Sequence, residues 1–189
     1  MMAVISNAYG NVVASFYGAK FQRNVEEILV SPTPDWVIIL GYVLGGVARG
    51  IIVGFLVFMV SLFFAHPTVT HWWAVILFTL LSSIVFSLAA LINGLFARNF
   101  DEVAFFQNFI LTPFIYLGGV FYSIHSLPQA WQQASMYNPL VYMVNGFRYG
   151  FFGFSDVNPG ICLMILVVLT IILGAVNLYL FKKGIGLKN

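Results

Sequence analysis

A chain of 189 residues with eight basic and six acidic side chains, 61% hydrophobic and 17% aromatic, is far poorer in charge than soluble domains, where about a quarter of residues are charged. No Lys, Arg, Asp or Glu falls between Gly50 and Ala97, between Val103 and Phe147, or between Val157 and Phe181. These proportions exclude a water-soluble fold, and a scattered net charge of +2 offers no footing for nucleic acid.

A hydrocarbon core about 30 Å thick is crossed by about 20 apolar helical residues. Each charge-free gap therefore has room for a span, and the first has room for two. Backbone groups in lipid need internal partners, which leaves helical bundles or closed barrels. Barrel strands alternate apolar and polar residues, whereas Ile161 to Leu169 is apolar throughout. The expected fold is an all-α, polytopic membrane helix bundle forming one domain over residues 1–189.

Five spans are expected. The first, Met1 to about Ala19, is the weakest because of Asn7, Asn11 and Ser15, and shows neither the basic leader nor the cleavage site of a signal peptide. Residues 21–31 follow as a short amphipathic helix. Phe21, Val25, Ile28 and Leu29 share one face, and Arg23 lies within reach of Glu26 and Glu27 on the other. Pro32 and Pro34 then stop it. Periodicity leaves two readings of this helix: it floats at the headgroup boundary, or it offers polar residues to another protein. Its two acids argue against anionic lipid.

The second span, about 37–65, could begin as an interfacial turn near Trp36. Its glycines Gly46, Gly50 and Gly54 recur every fourth residue, a spacing that lets backbones approach closely, either inside one subunit or at a seam between two. Arg49 lies beside the stripe. His66 to His71 connects to a third span, 72–96, and a fourth covers 103–122. Residues 123–159 are too long for a simple loop and too interrupted for a span. Within them Asn138 and Pro139 read as N-cap and first helical residue. A helix to about Gly153 follows, and Arg148 on it suits an interfacial or re-entrant position on the outer side, at a candidate outer gate formed with Asn138 and Pro139. The last span is 160–181. Cys162 inside it reads as a small buried hydrophobe.

Basic residues gather on the cytoplasmic side. Lys20 with Arg23, then Arg98, then Lys182, Lys183 and Lys188 fall on one side if five spans alternate. The C-terminus is then expected to be cytoplasmic and Met1 exterior, which suggests that a preceding helix is missing, either in a truncated reading frame or in a fragment.

Several devices are absent. No Gly-x-x-x-x-Gly-Lys-Ser/Thr phosphate loop occurs. All six acids (Glu26, Glu27, Asp35, Asp101, Glu102 and Asp156) lie outside the expected spans, so the intramembrane carboxylate of an ion-coupled carrier is lacking. His66, His71 and His125 form no ligand set, and no catalytic, cofactor or metal residue is expected.

Three stretches carry a family resemblance: Phe21 to Pro32 (FQRNVEEILVSP), Leu111 to Tyr122 (LTPFIYLGGVFY) and Asn138 to Gly150 (NPLVYMVNGFRYG). In this order, and covering essentially the whole chain, they resemble the permeases of type-2 ABC exporters, closest to small bacterial inner-membrane members. Such permeases usually have six spans and a cytoplasmic N-terminal amphipathic helix, and on this reading the sequence as given is expected to lack the counterparts of that helix and the first span. The resemblance implies a multi-pass inner-membrane permease, not itself an enzyme, that pairs with a second permease subunit. It also implies a separate ATP-binding subunit, docked on the coupling helix and contacted by Glu26 and Glu27, with Phe21, Val25, Ile28 and Leu29 seating that helix. A truncated, non-functional remnant and a passive channel or ion-coupled carrier are the alternatives. The substrate is not readable, and Phe105, Phe109 and Tyr116 could share a helix face.

Overall fold

The computed structural model describes residues 1–22, 33–64, 69–119 and 128–186, and among these all regular structure is helical. In chain order the elements are α1 (Met2–Phe21), α2 (Asp35–Phe64), α3 (Trp72–Phe96), α4 (Phe100–Phe105), a wide π segment (Phe106–Leu111), α5 (Thr112–Tyr116), α6 (Gln129–Met136), α7 (Pro139–Phe152) and α8 (Pro159–Lys183). α2, α3 and α8 are each long and apolar enough to cross a bilayer. The chain is an all-α membrane helix bundle.

α3 is the centre, packed against α1, α2, α7 and α8. Small side chains make this possible: Ser82, Ser83, Ser87, Ala90 and Gly94 are buried along it, so neighbouring backbones come close. α1 buries Val4, Ile5, Ala8, Tyr9, Val12, Val13, Phe16 and Tyr17. These fall on one side of a 3.6-residue period. α2 and α8 bury little and present Leu44, Ile52, Phe55, Met164, Val168 and Ile171 outward, as helices solvated by lipid do.

Two ends of the bundle are defined by contacts. At the basic end, the Lys20 ammonium donates to the carbonyls of Leu95 and Ala97, at 2.8 and 3.2 Å, and the turn at Gly186 lies against the Leu95 carbonyl. Lys20, Arg98, Lys182 and Lys183 are therefore brought to the same end. At the opposite, distal end, the backbone N–H groups of Thr70 and His71 donate to Phe151 and Gly150.

Several expected boundaries shift. α1 runs past the expected end near Ala19, so Phe21 belongs to it rather than to a separate amphipathic helix. α2 already begins at Asp35, whose carboxylate sits in the first turn, so Trp36 is helical rather than in an interfacial turn. The fourth expected span, 103–122, starts earlier, at Phe100. There Asn99 caps α4 by accepting from the Glu102 N–H at 2.8 Å. The rod then widens at Phe106–Leu111. Pro113 has no N–H for the preceding turn, and the Thr112 hydroxyl donates to Gln107 O, five residues back, at 3.0 Å. The remainder of that expected span beyond Gly119 lies outside the described residues.

Candidate functional site

Three places hold the residues singled out by sequence. At the basic end, Phe21 closes α1, 68% exposed, with its ring 5.5 Å from that of Phe100. Arg23, Val25, Glu26, Glu27, Ile28 and Leu29, the rest of the expected coupling helix, lie outside the described residues. Their attachment points are described: the segment leaves the end of α1 and returns to the start of α2, both at the basic end. Lys20 is past the apolar part of α1, where burial pulls its ammonium below the ordinary lysine value while the Glu102 carboxylate opposes the shift.

Gly46, Gly50 and Gly54 face elements of the same chain. A methyl on Gly46 would run into Ser87 and Val12. One on Gly50 would meet Ser83 Oγ at 2.9 Å, and one on Gly54 would meet Val4 at 2.9 Å. This stripe is where α1, α2 and α3 come together. Beyond it, at the distal end, an apolar cavity of about 350 Å³ opens among Val4, Gly54, Phe58, Trp72, Phe147 and Phe151.

Asn138, Pro139 and Arg148 form the third place. Asn138 caps α7 by accepting from the Leu140 N–H at 3.0 Å, with Pro139 in the first turn and Gly153 closing the helix at φ 74°, where an L side chain would be strained. The Asn138 amide also donates to Phe114 O at 2.9 Å. One turn beyond α5, Arg148 donates to Gly119 O at 2.9 Å and pairs with Asp156 at 3.0 Å. Asn138 and Arg148 thus hold α5 and the turn that follows it from the two ends of α7. Pro139 makes no such tie, and its role is to start the helix.

Sequence reasoning did not find Asp156 as the partner of Arg148. Its position as the sole acid between residues 123 and 159 was the available signal. Nor did it find Asn145, which accepts from the Asp156 N–H at 2.9 Å. A second polar set lies between α1, α3 and the π segment: Asn93 donates to the Tyr9 hydroxyl at 2.6 Å, Tyr9 stacks on Phe106, and Gln107 lies over Gly10. Phe105 and Phe109 do share a face, stacked at 4.8 Å and exposed. Among the described residues no group of His, Cys, Asp and Glu is placed to hold a metal ion.

Residues 1–152 match the profile of the ABC-2 type transporter. The chain belongs to the ABC-2 type transporter family. It is 52% identical over 189 residues to the inner membrane transport permease YadH of Escherichia coli (strain K12), covering all of this chain and 74% of that protein. Nodulation protein J of Rhizobium meliloti (strain 1021) is 24% identical over 169 residues, 84% of this chain and 61% of that protein. No solved structure matches. ABC-2 proteins are membrane-transport permeases, and the bundle described here is such a subunit.

Proposed function

We propose that this permease is the membrane-spanning half of an ATP-driven exporter in the cytoplasmic (inner) membrane. ATP is bound by a separate subunit, which grips the segment between α1 and α2, and a second permease chain, a homodimer partner, completes the path. The family match carries this reading, and the location of its bacterial relative supports the membrane assignment. The geometry is consistent with it, because that segment springs from the end of the bundle where Lys20, Arg98, Lys182 and Lys183 gather, the end that the distribution of positive charge makes cytoplasmic. Glu26 and Glu27 supply the polar contacts to the ATPase. Asn138, Pro139 and Arg148 belong to the outer gate, since Asn138 and Arg148 hold the end of α5 and the turn after it at the opposite end and Pro139 starts the helix that carries them.

The test is co-purification. The double variant Glu26→Arg, Glu27→Arg is expected to insert normally in the membrane and to lose the ATP-binding subunit on affinity capture. Retention of that subunit at the wild-type level removes the role given to this segment.

A further inference from the structure

The outward face of α1 is made of the wrong residues for lipid. Asn7, Gly10, Asn11, Ala14, Ser15 and Gly18 recur at three- and four-residue intervals on the side opposite its buried stripe, so they line one surface along the helix. The same molecule shows what its lipid-facing surfaces look like: Ile52, Phe55 and Leu56 on α2, and Met164, Val168 and Ile171 on α8.

A charge sits on the flank of this polar face. Arg49 is exposed, and its guanidinium donates to Asn11 Oδ1 at 3.1 Å, with no carboxylate partner among the described residues. Lys20 fixes the level of the basic end, and Asn11 is nine residues further along α1. At 1.5 Å per residue Arg49 therefore binds about 13 Å in from that level, close to the middle of a core about 30 Å thick. An unpaired arginine at that depth is tolerated where it meets protein or water rather than hydrocarbon. On the other flank Gln107, from the π segment, lies over Gly10, so a polar side chain borders the surface on each side. It carries one positive charge and no acid.

We propose that this α1 face, with Arg49 of α2 on its flank, is a water-lined transport surface that takes a cargo bearing an anionic polar group, and that Arg49 is the residue selecting for that charge. The proposal rests on the permease reading above and names its substrate class.

The test probes charge selection without needing the cargo. In a Cys162→Ala background, single cysteines are placed one turn either side of the Asn11–Arg49 pair (Asn7→Cys, Ser15→Cys), with Ile52→Cys and Ile171→Cys as controls on the apolar faces. The purified permease–ATPase complex, reconstituted in phosphatidylcholine vesicles and in vesicles enriched in phosphatidylglycerol, is treated with the anionic sulfonatoethyl methanethiosulfonate and with its cationic trimethylammonioethyl counterpart. Positions 7 and 15 are expected to react in both lipids and the controls to stay inert. The anionic reagent is expected to be favoured, with the anion-to-cation rate ratio falling about tenfold in Arg49→Gln, kept in Arg49→Lys and inverted in Arg49→Glu. Inert cysteines at 7 and 15 overturn the proposal, as does a ratio that ignores residue 49. Protection confined to the phosphatidylglycerol vesicles assigns Arg49 to a lipid headgroup and overturns it equally. Because the ATPase co-purification test reads a different segment, the permease reading stands or falls separately.

Discussion

At the scale of single residues, the stripe Gly46–Gly50–Gly54 shows how spacing becomes close packing. Its positions are not equivalent to other glycines on the same helix. Gly46 sits against Ser87, Val12 and the Ala8 carbonyl, whereas Gly41 has open space around it. Overfilling a packed contact costs about 1–3 kcal/mol. Gly46→Leu is therefore expected to lower the melting temperature of the detergent-purified protein by several degrees, while Gly41→Leu leaves it unchanged; equal effects would mean the stripe is not a packing seam within the chain. Spacing alone left two homes for this stripe, because periodicity identifies a face but not what meets it. Similarly, Asn7, Asn11 and Ser15 weakened the first span as read from hydropathy, and they are the residues that make its outward surface distinctive. A window average counts such residues as noise because it ignores which side of the helix they occupy.

At the scale of elements, the distal end is organised by polar ties to α7. Asn138 reaches back to Phe114, and Arg148 joins Gly119 to Asp156 ahead of α8. Both partners of the ion pair are largely buried, at 16% and 11% side-chain exposure. Removing the carboxylate takes away the anionic partner of a largely buried cation, which costs about 3–5 kcal/mol, whereas replacing both members with apolar residues of similar size is often tolerated. Asp156→Ala is expected to reduce thermal stability in detergent, and the pair Arg148→Met, Asp156→Leu to restore most of it. An Asp156→Ala protein as stable as wild type would show that the pair does not hold the element ends together. The cap at Asn138-Pro139 and the stop at Gly153 were legible because capping is local chemistry, settled within one turn. The ion pair and the π segment were not, since each depends on where a distant stretch of chain is placed. The start of α4 was missed for a simpler reason: Asp101 and Glu102 looked like the edge of a span, but acids in a first turn favour a helix there.

For the whole molecule, the pattern of charge-free gaps was enough to name the solvent and the helical class, and the structure adds the common end of Lys20, Arg98, Lys182 and Lys183. Trp36 near the basic end and Trp72 and Trp73 at the distal end are all more than half exposed, the placement expected of interfacial anchors. Orientation follows and is checkable in cells. With Cys162→Ala as background, Thr70→Cys is expected to label with an impermeant maleimide in intact spheroplasts, and Phe100→Cys only after permeabilisation. The reverse pattern would invert the assignment of the ends. One contact has a mechanical corollary. Because the Lys20 side chain is lashed to carbonyls at the end of α3 and just past it, any tug on the chain beyond Phe21 loads the central helix directly instead of unravelling α1. A force applied there would haul the keel of the bundle, not a loose plank.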